Sequence, residues 1–425
     1  MMKHYDSYKD SGIEWIGEIP SHWKVGRIKY IVDSSKYYQI GDGDHGSIKP
    51  EMYCDNGIPY IRVQNLNWNG LITKEGLVYI PEDIHKLNQK SKLVESDILI
   101  AKTGATIGKL GLVDSNIGES NTTSSVGKIT IDKNRFSPKY FLYFFQSHFF
   151  QKMIWVRGIE KSAQPGFNID DLVDFPILIL PLSEQEQIVS YLDDKTTKID
   201  KLIQKKLKKI DLLKEYRTSL INTVVTKGLN PDVPMKDSGI EWIGEIPSHW
   251  VSTPLKYLCM IGNGRDYSHI QLESGGYPVY GTGGEFSRCS EYLHDGPSVL
   301  LGRKGTIDNP ILVDGPFWTS DTVYYTVIKE NTIPKFLFHL VKQIPFDLYS
   351  YGSTIPSMTK THYENMFFPL PQLSEQEHIV SYLDEKTSQI DKTIDIEKKK
   401  IQLLKEYRQS LISNVVTGKL KVVSE

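Results

Sequence analysis

"LSEQEQIVSYLDDKTTKIDKLIQKKLKKIDLLKEYRTSLINTVVTKG" runs from Leu182 to Gly228, and "LSEQEHIVSYLDEKTSQIDKTIDIEKKKIQLLKEYRQSLISNVVTGK" runs from Leu373 to Lys419. Apolar residues in the first copy fall at Leu192, Ile199, Ile203, Ile210, Leu213, Leu220 and Val224. The second copy repeats them at Leu383, Ile390, Ile394, Ile401, Leu404, Leu411 and Val415. These steps of three, four and seven are heptad spacing, with Lys and Glu on the other faces, and predict two coiled-coil helices. Ser183 with Glu186, and Ser374 with Glu377, have capping-box spacing downstream of Pro181 and Pro371, while Gly228 and Gly418 are expected stops. Forty residues at 1.5 Å each make a rod of about 60 Å. Such a stripe buries nothing alone, so its natural partner is its own duplicate, in an intramolecular coiled coil. Continuing the stripe puts Lys206 and Glu397 at one seam position, beside the polar pairs Thr196/Thr387 and Arg217/Arg408. In an antiparallel pairing the two charges fall about 6 Å apart along the axis, and they are expected to form a register-setting ion pair.

A shorter repeat precedes each long one. "KDSGIEWIGEIPSHW" occupies Lys9–Trp23 and returns unchanged at Lys236–Trp250. Two tryptophans, glycine and proline in so short a span predict a compact apolar turn. His22 and His249 have no Cys, Asp or second His at ligand spacing, so they read as packed or capping residues, and no metal site is expected. The chain therefore runs short box, variable region, long box, twice over.

Bulk properties narrow the class. A length of 425 residues suits two to four domains, and 39% hydrophobic with 24% charged residues is ordinary for a globular protein. No apolar run is long enough for a membrane span, the start "MMKHYDSYKD" is too polar for a signal peptide, and Cys54, Cys259 and Cys289 form no framework. A cytoplasmic protein is expected. The net charge of −2 means that any DNA-binding charge must be local.

The variable regions, 24–181 and 251–372, read as mixed α/β domains with short strands such as "DILIAKTG", "PSVLLGRKG" and "DTVYYTVI" between Gly, Asn and Asp turns. The aromatic runs "SPKYFLYFFQSHFFQKMI" and "IPKFLFHLVKQI" read as core helices. "IAKTGATIGK" and "LLGRKGTIDN" end a strand in a cation beside Gly and Thr, a combination suited to phosphate. "GATIGKL" fails as a P-loop, because three residues separate Gly104 from Gly108 and Leu110 replaces the Mg²⁺-binding hydroxyl. The loops "DGDHGSIKP", "VRGIEKSAQPG" and "YGSTIPSMTK" mix groups that suit base edges and backbone. Candidate DNA-contacting residues are Arg62, Gln64, Asn65, Lys102, Lys109 and Lys161 in the first half. In the second they are Arg265, Arg303, Lys304, Ser353, Thr354 and Lys360. No G-x-G-x-x-G follows a strand, no Asn-Pro-Pro-aromatic tetrapeptide occurs, and no nuclease or Ser–His–Asp set stands out, so no catalytic residue is expected.

Two divergent domains, each followed by a "PL-x-EQ-x-x-IV-x-YLD" long helix, together with "YPVYGTGG", "GRKGTI", "GPFWTSDT" and "YGSTIPSMTK", resemble the specificity subunits of type I restriction–modification systems. The resemblance spans nearly the whole chain. It implies an α+β chain with two target-recognition domains joined by an antiparallel intramolecular coiled coil, in a pseudo-two-fold repeat. The expected divisions are 1–181, 182–228, 229–372 and 373–420. The resemblance further implies a non-catalytic DNA reader of a bipartite duplex target, with the rod as a ruler. Its partners would be two methyltransferase subunits, which bind S-adenosylmethionine, and two ATP- and Mg²⁺-dependent restriction subunits; this chain would bind no cofactor itself. A self-contained modification enzyme and a coiled-coil scaffold without DNA are the alternatives.

Overall fold

The computed structural model describes residues 4–36, 38–159, 166–349 and 356–422. The chain forms two compact units, Met1–Lys205 with Lys399–Glu425, and Lys206–Lys398. The long helices, Leu182–Lys227 and Leu373–Val416, each begin in one unit and end in the other. The units therefore cut across the expected rod segments, and each takes part of both helices.

The first unit is built on two four-stranded sheets. One is antiparallel and ordered Ile40–Asp42, Val126–Ile129, Ile98–Ala101, Leu110–Leu112. The other is ordered Val78–Ile80, Ile58–Ile61, Ser120–Thr122, Lys92–Leu93, and its two central strands are parallel. The second unit repeats this plan. Its antiparallel sheet is Cys259–Asn263, Val323–Ile328, Ser298–Gly302, Ile311–Val313. Its other sheet runs Gln271–Leu272, Gly284–Cys289, Tyr277–Gly281, Trp318–Thr319, and again one pair, Tyr277–Gly281 with Trp318–Thr319, is parallel. Ile98–Ala101 and Ser298–Gly302 are buried along their whole length, which is why they read as short runs without polar alternation.

The aromatic runs are helices, Pro138–Gln146 and Pro334–Val341, each with proline in its first turn. Tyr140, Phe141, Phe144 and Phe145 are buried in the first, and Phe336, Leu337 and Leu340 in the second. They are core, as the composition suggested.

The expected capping boxes do not form. Both long helices start two residues earlier than a Ser183 or Ser374 cap requires, and neither hydroxyl has a partner among the described residues. The backbone N–H groups of Glu184 and Gln185 instead reach the Pro181 carbonyl, and those of Glu375 and Gln376 the Gln372 carbonyl. The next residue, glutamine, supplies the anchor. Fully buried Gln185 donates to the Leu180 carbonyl at 2.8 Å and accepts from Ser137 N at 2.9 Å. Gln376 donates to the Pro371 and Asn331 carbonyls at 3.0 Å and accepts from Ile333 N at 2.8 Å. Each long helix is thus tied to the start of its aromatic helix.

The short boxes are tight antiparallel pairs, Tyr8–Asp10 with Glu18–Pro20 and Met235–Asp237 with Glu245–Pro247. Trp23 and Trp250 are completely buried. His22 Nε2 lies 2.9 Å from Glu184 Oε2, whose other oxygen accepts from the Tyr5 hydroxyl at 2.7 Å. His249 Nε2 lies 3.0 Å from Glu375 Oε2, which also accepts from Trp250 Nε1 at 3.0 Å. Gly228 and Gly418 end the helices at φ of 76° and 73°, the left-handed turn that favours glycine.

Within each unit the helices pair antiparallel, residue numbers rising on one as they fall on the other. In the first unit Arg408 Nε lies 3.0 Å from Asp200. In the second, Arg217 Nε lies 3.1 Å from Asp391, and Lys206 Nζ lies 2.7 Å from Glu397 Oε2. Lys209 adds a second cation, 3.0 Å from Glu397 Oε1. Every seam residue named above is buried or half-buried, including Ile199, Ile203 and Ile210 on one helix and Ile390, Ile394 and Ile401 on the other.

Candidate nucleic-acid interface

In each unit one short segment collects the ends of the strands that carry the candidate residues. In the second unit it is Thr319–Thr322. Arg265 N donates to the Thr319 carbonyl at 2.9 Å, Ser320 N to Tyr280 O at 3.0 Å, and Arg303 N to Thr322 O at 2.8 Å. Gly264 is obligatory there, since a Cβ would collide with the Ser320 carbonyl. The segment 356–358 joins the same cluster: Gly305 N donates to Pro356 O at 2.9 Å and Met358 N to Arg303 O at 3.0 Å. Arg265, Arg303 and Lys304 are exposed, and no carboxylate pairs with any of them among the described residues. Among the described residues the Arg303 guanidinium makes one hydrogen bond, from Nη1 to the Asp321 carbonyl at 3.2 Å. Lys360 opens the helix Lys360–Asn365 and lies 3.6 Å from Glu364. Ser353 and Thr354 lie outside the described residues.

The first unit uses Thr122–Ser125 in the same way. Lys102 N donates to Ser125 O at 2.9 Å, Phe167 N to Lys102 O at 3.1 Å, and Thr122 Oγ1 to Ile61 O at 2.8 Å. Gly43, like Gly264, has no room for a side chain, here because of the Thr122 carbonyl. Backbone bonding therefore makes Lys102 the counterpart of Arg303. Their side chains differ sharply. Lys102 is 6% exposed and paired with Asp42, itself at the end of its strand, where the second unit has the neutral Asn263. Lys109 is half-buried beside this strand end, its carbonyl accepting from Ala101 N at 2.8 Å, with no ion-pair partner among the described residues. Arg62 follows Ile61 and donates from Nη2 to the Gly76 carbonyl at 2.8 Å, as Gln64 does at 3.3 Å. Asn65 is fully buried; it accepts from Arg62 N at 3.0 Å and donates to the Thr73 and Glu75 carbonyls at 3.2 Å. Its amide is spent on bracing the loop. Lys161 lies outside the described residues.

Gly104–Thr106 is a single 3₁₀ turn, not the start of a phosphate-binding helix. Among the described residues no group of three or more His, Cys, Asp or Glu side chains could hold a metal ion, and no helix is long and apolar enough to cross a membrane. The sequence reading missed His45, an exposed side chain on the loop after Ile40–Asp42, whose signal was a histidine-glycine turn inside "DGDHGSIKP".

The sequence matches the family described as type I restriction modification DNA specificity domain over residues 20–212 and 247–406. The putative type I restriction enzyme MjaX specificity subunit of Methanocaldococcus jannaschii is 26% identical over 434 residues, covering 96% of both chains. A chain solved in a study of complex assembly and conformational transition of the type I R-M system superposes with a TM-score of 0.73 at 16% identity, covering 95% of this chain and 99% of that one. The HsdS subunit from Thermoanaerobacter tengcongensis gives 0.58 at 16% identity, covering 95% and 98%; at such identity both likenesses speak for the fold. With its doubled two-sheet frame and with family matches in both halves, the chain belongs to the family of type I restriction–modification DNA specificity subunits, the non-catalytic component of those enzymes.

Proposed function

We propose that this chain reads a bipartite duplex target, one unit per half-site, and recruits the subunits that act on it. One observation carries the reading: the same frame and the same collecting segment occur twice, while the side chains mounted on them diverge. Lys102 is neutralised where Arg303 is free, and Asp42-Gly43-Asp44 stands where the second unit has Asn263-Gly264-Arg265. A frame that positions and loops that differ are what two unlike half-sites require. In this reading Arg265, Arg303, Lys304 and Lys109 contact DNA directly, as does Lys360 from the start of its helix; Lys161, Ser353 and Thr354 are proposed contacts from outside the described residues. Arg62, Gln64, Asn65 and Lys102 act mainly by holding the loops in place. Two methyltransferase subunits would bring S-adenosylmethionine, and two restriction subunits ATP and Mg²⁺, in the cytoplasm; this chain would supply the address. The test is to exchange residues 251–372 for the equivalent domain of another family member and to map methylated bases across the genome. One half of the recognised sequence should change. A change in both halves, or in neither, refutes the assignment of one unit per half-site.

A further inference from the structure

The loop that follows Ile40–Asp42 is built more rigidly than an exposed turn needs. His45 and Gly46 both have positive φ, 53° and 85°, and Ser47 N donates to the Asp44 carbonyl at 3.2 Å. That combination marks a type I′ turn with His45 at its first central position, where glycine or asparagine is favoured. Asp44 fixes the turn from below. It is 9% exposed, one oxygen accepts from the Tyr60 hydroxyl at 2.9 Å, and the other accepts from Ile48 N at 2.6 Å. Ser47 Oγ lies 2.8 Å from the Asp44 carbonyl and 2.6 Å from Asn88 Oδ1. The side chain at the tip is thus carried on a braced platform, and that side chain is 54% exposed.

The ring itself is held at one nitrogen. His45 Nε2 lies 2.9 Å from Asp42 Oδ1, and the other Asp42 oxygen is paired with buried Lys102. A carboxylate only accepts, so the ring proton belongs on Nε2, and Nδ1 of the neutral imidazole is left as an acceptor. No described residue donates to it. On a loop that the proposed function turns toward DNA, a positioned acceptor matches the exocyclic amino groups of the major groove, adenine N6 and cytosine N4. The corresponding loop of the second unit carries Arg265, a pure donor, at the place of Asp44, so the two loops present different groups.

We infer that His45 is a specificity-determining residue that accepts a hydrogen bond from an adenine N6 or cytosine N4 amino group in the half-site read by the first unit. The inference rests on the proposed function and extends it to a residue and a chemical group. It also assigns Lys102 and Asp42 as positioning residues, which explains why a cation at the strand end is buried and neutralised in this unit alone.

The test uses the full chain expressed with its methyltransferase partner, with methylated sites mapped in cells for wild type, His45→Gly and His45→Arg. Glycine suits the backbone at this position, so purified His45→Gly should melt no lower than wild type. It should nevertheless relax one A or C position of one half-site, with methylation of sites bearing another base there rising about tenfold. His45→Arg should move the preference at that position to guanine. An unchanged motif in His45→Gly overturns the inference while leaving the proposed function intact, as does a uniform loss of methylation at all sites. A wild-type pattern with no dependence on this chain would instead sink the proposed function, and the inference with it.

Discussion

Glu397 shows what single charges do in this rod. Its side chain is 4% exposed and held by Lys206 and Lys209. Their hydrogen bonds draw its carboxyl down to about 2 from an ordinary 4.5. A lowered carboxyl stabilises the fold above its unfolded value and loses that effect as pH falls through the folded one. Glu397→Gln should therefore melt below wild type at neutral pH, and the gap should close between pH 4.5 and 2. Lys206→Glu should also lower the melting point, but adding Glu397→Lys should restore only part of the loss, because the new lysine would face Lys209. Full recovery, or simple addition of the two effects, would contradict this triad. Lys206 and Glu397 were legible because heptad counting places both in the seam; Lys209 was not, since it reaches in from outside the stripe. Lys102 was legible as a cation closing a strand, but Asp42, sixty residues earlier, gave no sign of facing it. Removing one partner of a buried pair strands the other, so Lys102→Ala should cost about 3 kcal/mol by chemical denaturation. Arg303→Ala should alter stability by about 0.5 kcal/mol or less and lower the salt slope of duplex binding by about one.

The joint between the aromatic helix and the rod separates what pattern reveals from what it conceals. Heptads and aromatic clustering disclosed both elements, and Gly228 and Gly418 their ends. The Ser-x-x-Glu motif misled, because the proline and glutamine beside it satisfy the first turn by other means. Tyr143 and His339 occupy the same place on their helices, five residues after Pro138 and Pro334. Tyr143 donates to Asp193 at 2.7 Å and lies 3.2 Å from Thr196 Oγ1, beside the Lys139–Asp193 pair at 2.6 Å. In the second unit Lys335 meets Asp384 at 2.6 Å, yet both nitrogens of buried His339 lack a partner among the described residues. Tyr143→Phe should thus cost about 1 kcal/mol, and His339→Tyr should stabilise by gaining the bonds that Tyr143 makes. Burial also lowers the His339 imidazole to about 4. Between there and the ordinary 6.5, the unfolded chain binds a proton that the folded one refuses, so stability must fall as pH falls through this window. The slope contributed is at most about 1.4 kcal/mol per pH unit, and it should vanish in His339→Phe.

At the scale of the whole chain, the duplicated boxes have two reasons to stay alike. Under the proposed function a partner binding twice would need the same surface twice, and each short box also grips the start of a long helix through His22–Glu184 or His249–Glu375. The second reason could not be read from the repeat alone, since nothing in the spelling says that the two boxes touch. The helices, 46 and 44 residues long, would measure about 69 and 66 Å at 1.5 Å per residue. Each passes between units near 205/206 or 398/399, so an insertion there lengthens the rod without touching either joint. Seven residues preserve the seam, because the apolar stripe repeats every seven, and they add about 10.5 Å. That is about three base pairs of duplex at 3.4 Å each. Inserting a heptad in both helices should keep both half-site sequences and widen the gap between them by about three base pairs, as read from the methylated motif. A heptad in one helix only should shift the seam out of register and lower the melting temperature. If the doubly lengthened chain methylates sites with the original gap, the rod is not the ruler.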